Sequence, residues 1–198
     1  MTTIATILTD GYADWEIGML AGVARTYFGI DMLHTSPGGR PVLSSGGLVA
    51  IPDRPTEHID PAAIGALIVV GGTTWRNDAA PDLSRLLQRT READVLIGGI
   101  CDGTRPLARA GLLDEVGHTS NSPETLIETG DRGRQLYWDV PHAVSAEGII
   151  TAPGTAPVSF MVEVVTALGH GSSDLDFFHH LLAAEHAYAG TSVLPDRE

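Results

Sequence analysis

A doubly wound α/β fold, a mainly parallel sheet with helices on both faces, is what this sequence predicts. Three observations predict it. Strand-like runs alternate with helix-like runs along the chain, the order that builds a parallel sheet. ALIVV (66–70) is apolar without interruption, as a strand is when helices cover both of its faces. The length, 198 residues, suits one domain with a full core and no disulfide or structural metal. No repeat, low-complexity tract or linker divides it, so the domain is expected to run over 1–198.

The elements follow in order. TIATILT reads as a short buried strand ended by Asp10-Gly11. From Trp15 to Phe28, apolar residues recur at Ile17, Leu20, Ala21, Ala24 and Phe28, one face of a helix, and Gly29 closes it. IDMLHTS is a second strand, and RPVLSSGGLVAIP a hairpin turning at Ser45-Gly46-Gly47. After ALIVV comes an amphipathic helix over 81–93, with Pro81 suited to its first turn. VLIGGI is the next strand and GTRPLARAGLL the next helix. QLYWDV and GIITAP are expected as further strands. PVSFMVEVVTALG and DLDFFHHLLAAEHAYAG are expected as closing helices, Asp174 capping the second.

Charge and composition narrow the function. The 25 acidic against 12 basic residues leave a net charge of −13, a surface that repels nucleic-acid backbones and anionic lipid. No apolar stretch approaches the roughly 20 residues that span a bilayer. No basic residue precedes the first apolar run, so that run is expected to be a first strand and not a secretory signal. The single cysteine fits a reducing compartment, and the protein is expected in the cytoplasm. A small-molecule substrate is the partner these features leave.

That cysteine carries the strongest motif. Gly99-Ile100-Cys101-Asp102-Gly103 has the form G-x-C-x-G, the nucleophile-elbow pattern with cysteine in place of serine. Its glycines permit a sharp turn between strand and helix that lifts the middle side chain above the sheet. At a helix N-terminus the thiolate is expected to be stabilised. Acyl-transfer-like chemistry also needs donors for a developing oxyanion. The Gly72 N–H, after the neighbouring strand, and the Asp102 N–H are the candidates. A partner acid is the next requirement, and Glu16, one helical turn into DGYADWE, lies at the same sheet edge. The Asp102 side chain is expected to turn outward as a cap. Tyr12, Thr73 and Trp75 fall on loops at that edge as possible pocket lining.

Four motifs in order, TILTDGYADWE, VVGGTTW, ICDGTRPLARAGLLDEVGHTSNSPETL and GIITAPGTAPVSFMVEVVTALG, resemble the ThiJ/PfpI superfamily, relatives of the class I glutamine amidotransferase domain. The chain is most similar to its bacterial amidotransferase and intracellular-protease members. The resemblance implies a flavodoxin-like sandwich, often a homodimer. It further implies Cys101 as nucleophile, Glu16 as its acid, and an oxyanion hole from the Gly72 and Asp102 backbones.

Two departures bear on the reaction. Proteolytic members carry a histidine directly after the cysteine, where this chain has Asp102. Others place a histidine just before a proline downstream, where this chain has Ser122 preceded by Asn121. Both are counted with the possible lining. His118 reads as a packed strand residue. A protease or glutaminase needs a base for the leaving amine, whereas isocyanide hydratases and glyoxalase-like members of the superfamily rely on cysteine and a carboxylic acid. The expectation is a hydrolase or hydratase acting on a small carbonyl, amide or isocyanide-like electrophile. Two alternatives stand beside it: a redox-responsive protein whose Cys101 is oxidised, and an inactive scaffold.

No cofactor is expected, since no phosphate loop or dinucleotide fingerprint is present. His179, His180 and His186, with Glu185, read as a terminal helix face and not as a metal site. Gly154-Thr155-Ala156-Pro157 reads as a helix entry whose backbone could approach the thiol.

Overall fold

A computed structural model describes residues 2–187, with side chains through residue 184. Among the described residues nine strands and six α-helices follow one another as β1 (Thr3–Ile7), α1 (Asp14–Phe28), β2 (Asp31–Ser36), β3 (Val42–Leu43), β4 (Val49–Ala50), β5 (Arg54–Pro55), β6 (Ala66–Val69), α2 (Ser84–Glu92), β7 (Leu96–Ile100), α3 (Thr104–Arg109), α4 (Pro123–Ile127), β8 (Val144–Ala146), β9 (Ile149–Ala152), α5 (Pro157–Val165) and α6 (Ser173–Ala187). Seven strands form one sheet in the order β5-β2-β1-β6-β7-β9-β8. Every pairing in it is parallel except β8 with β9. The doubly wound prediction is met.

Alternation along the strands sorts the core into two layers. Ile4, Ile68 and Ile150 face one side, against Leu20, Val23 and Ala24 of α1 and Phe160, Met161 and Val164 of α5. Their sequence neighbours Ala5, Leu67, Val69 and Ile149 face the other, against Leu87 of α2 and Leu107 of α3. Each fully buried Leu, Ile or Phe contributes about 1.5–3 kcal/mol. The two central glycines of β7 let both layers approach. A Cβ on Gly98 would lie 2.5 Å from Ile68 Cδ1 and 2.9 Å from Phe160, and one on Gly99 would lie 3.1 Å from Leu107.

The hairpin turns where expected. Val42 pairs with Ala50 and Leu43 with Val49, and Gly46 donates its N–H to Asp14 Oδ2 at 2.8 Å. Gly29, at φ 62°, ends α1.

Several boundaries differ from expectation. The helix placed at 81–93 begins at Ser84, whose N–H is taken by Asp82 Oδ1 at 2.9 Å, so Pro81 lies outside it. The helix placed from Gly103 ends at Arg109, and Gly111 turns the chain at φ 72°. QLYWDV is not a strand: a 3₁₀ turn covers Arg134–Leu136 and only Tyr137 forms a bridge, to His118. The strand on that side is β8, which the sequence did not announce. α5 stops at Val165 and passes into a wider turn, Thr166–His170. Ser172, not Asp174, accepts the N–H of Leu175 in front of the last helix. No helix among the described residues is long and apolar enough to cross a membrane.

Candidate active site at Cys101

The carboxyl ends of β6, β7 and β9 supply the backbone of the site. β7 ends at Ile100 in extended geometry, and Cys101 follows at φ 58°. That left-handed conformation costs a residue with a Cβ about 1–2 kcal/mol. A 3₁₀ turn, Cys101–Gly103, then leads into α3. Gly103 is required there: a Cβ would sit 2.2 Å from the Val69 carbonyl oxygen of β6. Thr104 Oγ1 ties the turn down, donating to the Cys101 carbonyl at 2.7 Å.

Glu16, in the first turn of α1, is 1% exposed. Its Oε2 accepts the Gly71 N–H at 2.8 Å, just beyond β6. Its Oε1 is buried with no nitrogen or oxygen hydrogen-bond partner, and the Cys101 thiol is the donor left to it. Two glycines show how close this carboxyl lies to the sulfur. A Cβ on Gly71 would be 2.5 Å from Glu16 Oε2 and 2.6 Å from Cys101 Cβ; one on Gly154, beyond β9, would be 2.9 Å from Cys101 Sγ and 3.0 Å from Glu16 Oε1. The free carboxyl oxygen and the sulfur thus share one small space.

Asn121 completes the enclosure. Its Nδ2 donates to Cys101 Sγ at 3.1 Å, and its Oδ1 accepts the Gly154 N–H at 2.9 Å. The indole N–H of Trp15 donates to the Gly154 carbonyl at 3.0 Å. The Asp102 N–H is directed at the sulfur. The Gly72 N–H makes no hydrogen bond among the described residues. The flanking bonds, Thr73 N–H to the Gly11 carbonyl and Ala13 N–H to the Gly71 carbonyl, leave it pointing away from Tyr12.

Burial pushes the Glu16 carboxyl up to about 7, outweighing the hydrogen bonds from Cys101 and Gly71, while the charge of Asp102 adds to the rise. Burial also pushes the Cys101 thiol up, to about 12, with the charge of Glu16 next; the Asn121 hydrogen bond and the Asp102 N–H pull the other way. Burial and the charge of Glu16 thus oppose the thiolate that the helix N-terminus was expected to stabilise. Each charge opposes the other, so carboxyl and thiol titrate as a pair.

Other expectations are corrected. The Asp102 carboxylate does not turn outward: it is buried, and its Oδ2 accepts from both Nε and Nη2 of Arg76 at 2.8 Å. Trp75 is fully buried in the core layer beneath α2 and α3, and its indole N–H donates to Val70, so it walls no pocket. Tyr12 turns to the α1 layer, where it lines a groove with Leu8, Ile17 and Ile51. Thr73 sets its hydroxyl over Gly11, and the Ser122 hydroxyl turns to Glu124 and Thr125 of its own helix. His118 is packed as expected, its Nδ1 bonded to the Val116 carbonyl and its ring against Tyr137. Trp15, Gly71 and Arg76 were not foreseen at the site. Among the described side chains no group of three metal-ligating residues occurs. The side chains of Glu185 and His186 lie outside the described residues.

The sequence profile of the DJ-1/PfpI family matches residues 2–167. The chain belongs to the DJ-1/PfpI family. The DJ-1 superfamily protein Atu0886 from Agrobacterium tumefaciens is 41% identical, with a TM-score of 0.91, covering 94% of this chain and 100% of that one. The thiJ/pfpI family protein from Bacillus anthracis is 27% identical, with a TM-score of 0.78, covering 93% and 92%. Among curated proteins, the uncharacterized protease YoaZ of Bacillus subtilis is 29% identical over 165 residues, 79% of this chain and 78% of its own length. The transcriptional regulator GbdR of Pseudomonas aeruginosa matches at 29% identity over 37% of its length.

Proposed function

We propose that this DJ-1/PfpI protein is a cysteine-dependent hydrolase or hydratase acting on a small carbonyl, amide or isocyanide-like electrophile. The observation that carries the reading is the buried Glu16 Oε1, which has no nitrogen or oxygen partner and lies beside the sulfur of a strained elbow cysteine. A buried acceptor left to a weak thiol donor costs stability, and a proton passing between oxygen and sulfur is the use this arrangement suits.

In the resting pair above neutrality the proton is on sulfur and the charge on Glu16. As substrate enters, the proton moves from Sγ to Glu16 Oε1 and the thiolate attacks the electrophilic carbon. The S–C bond forms, and the π pair moves to the substrate heteroatom. In this reading the Gly72 and Asp102 N–H groups take that developing charge. With a carbonyl substrate Glu16 gives its proton to the oxygen, and with an isocyanide to the attacked carbon; with an amide the pair re-forms the C=O bond as the C–N bond breaks, and Glu16 gives its proton to the departing amine. Water then adds to the carbon and passes a proton to Glu16, the S–C pair returns to sulfur, which takes that proton back, and product departs. Holding acid and nucleophile in one closed space replaces the histidine relay of other thiol hydrolases.

YoaZ carries the name protease. Peptide hydrolysis fits this site less well, because no histidine is a hydrogen-bond partner of Cys101 or Glu16 among the described residues. A second reading, oxidation of Cys101 to a sulfinate, is favoured by the Asn121 amide already donating to sulfur.

Turnover of a panel of glyoxals, small amides and isocyanides by the wild type, lost in Cys101→Ser, tests the first reading. Absence of turnover together with a mass gain of two oxygens at Cys101 under mild peroxide would replace it with the second.

A further inference from the structure

Arg76 has no part in the chemistry above, yet its guanidinium is held close to the nucleophile. The turn that carries it, Thr73–Arg76, packs on the turn Cys101–Gly103. Its Nε and Nη2 both donate to Asp102 Oδ2 at 2.8 Å. Asp102 follows Cys101 in the chain, and the guanidinium lies within reach of the charge of the Cys101 sulfur. Arginine has five N–H donors in one plane. Two are spent on the buried Asp102 carboxylate, whose side chain is 5% exposed, while the arginine side chain is 61% exposed. Among the described residues the edge formed by Nη1 and the second N–H of Nη2 has no hydrogen-bond partner. Two parallel N–H groups at that spacing match the two oxygens of a carboxylate.

Charge gives that edge a task. The chain carries a net −13, and Glu16 and Asp102 both lie beside the sulfur, so an anionic substrate is repelled on approach. A neutral electrophile would need no exposed cation beside the elbow turn. A merely neutralising partner for Asp102 would need no three spare donors facing solvent.

We propose that Arg76 selects small electrophiles that bear a carboxylate, its open N–H edge binding the anionic group while Cys101 attacks the nearby carbon. This deepens the Proposed function and rests on Cys101 being the nucleophile, but not on turnover. The substrate class is that of 2-oxo acids and aldehyde acids. The carboxylate stays unchanged through the reaction, and the bond changes are those already written.

Alkylation separates selection from catalysis. Iodoacetate and iodoacetamide are alike in size, and with each the sulfur forms an S–C bond as iodide leaves with its electron pair. Only iodoacetate carries a charge. The ratio of their rate constants at one pH cancels the fraction of thiolate. In the wild type that ratio, divided by the same ratio for N-acetylcysteine, is expected to exceed 10, and Arg76→Gln is expected to bring it to 1 or below. Should Arg76→Gln fail to fold with Asp102 left unpaired, the pair Arg76→Gln with Asp102→Asn removes both charges and is expected to lose the preference equally. A wild-type ratio no higher than that of the free thiol, or a preference that survives loss of Arg76, overturns the proposal. Turnover without the preference overturns this proposal alone; the preference without turnover supports it and removes the enzyme reading. A Cys101 inert to both reagents overturns the two together.

Discussion

The Gly71 N–H donates to Glu16 Oε2 at 2.8 Å, and this bond decides which carboxyl oxygen is left for the sulfur. With Oε2 occupied, Oε1 is the atom that shares the space beneath Gly154 with Cys101 Sγ. Acid and thiol are matched by a peptide group that neither of them owns.

The pairing sets the pH dependence of the thiol. When Glu16 ionises, near 7, its charge opposes loss of the sulfur proton. Glu16→Gln keeps the shape and removes the charge, so the midpoint of Cys101 alkylation by iodoacetamide is expected to fall by one unit or more, about 1.4 kcal/mol per unit. An unmoved midpoint would break the pairing.

The same carboxyl affects stability with a definite sign. Its pKa is about 7 in the folded chain against an ordinary value of 4.5. Between those values the folded state binds more protons than the unfolded state, so stability falls as pH rises through this window. Below 4.5 and above 7 Glu16 contributes no slope. The whole change is roughly 3 kcal/mol. Urea unfolding of the wild type and Glu16→Gln at pH 4.5 and pH 7.5 isolates it: the difference between the two proteins should change by that amount, the variant gaining relative to the wild type at the higher pH. Cys101 adds a second fall above its ordinary value of 9.0, because burial raises the folded thiol to about 12.

Backbone strain at Cys101 is measurable by substitution. At φ 58° a glycine is at ease and an alanine is not. Cys101→Gly is expected to be more stable than Cys101→Ala by about 1 kcal/mol, although glycine ordinarily costs stability. Denaturant midpoints of the two variants settle the sign.

Gly154→Ala tests the enclosure. The added methyl would stand 2.9 Å from Sγ and 3.0 Å from Glu16 Oε1. Alkylation is expected to slow at least tenfold, with an overpacking cost of about 1–3 kcal/mol. Unchanged alkylation would place the reactive face of the sulfur elsewhere.

Much of this architecture is legible in the sequence, because the signals are local. ALIVV, VLIGGI and GIITAP announce buried strands by apolar content alone, and G-x-C-x-G announces the turn because Gly99 and Gly103 are needed for close packing. Glu16 and Asn121 reach the sulfur from motifs that pointed to the correct sheet edge. What escaped depends on partners distant in the chain. The direction of the Asp102 carboxylate is set by Arg76, 26 residues earlier, and no spacing rule encodes that pair. Trp75 lies on the right loop, but its indole N–H is claimed by Val70 and its ring by the core. Tyr137 and Trp138 have strand-forming side chains, yet only Tyr137 finds a bridging partner. Val144–Ala146 is too short to show a period, and it pairs because β9 leaves an open edge.

The peptides that frame the sulfur leave from β6, β7 and β9, three adjacent strands with neighbours on both outer sides. Glu16 alone among the reacting groups comes from a helix, and it is fastened to one of those peptides. Loosening the nucleophile from its acid therefore means parting the interior of the sheet, a motion as rare as unfolding itself. Amide exchange in this frame should be as slow as in the most protected parts of the chain, and access to the thiol should be set by the dimensions of the entrance and not by the opening of a lid.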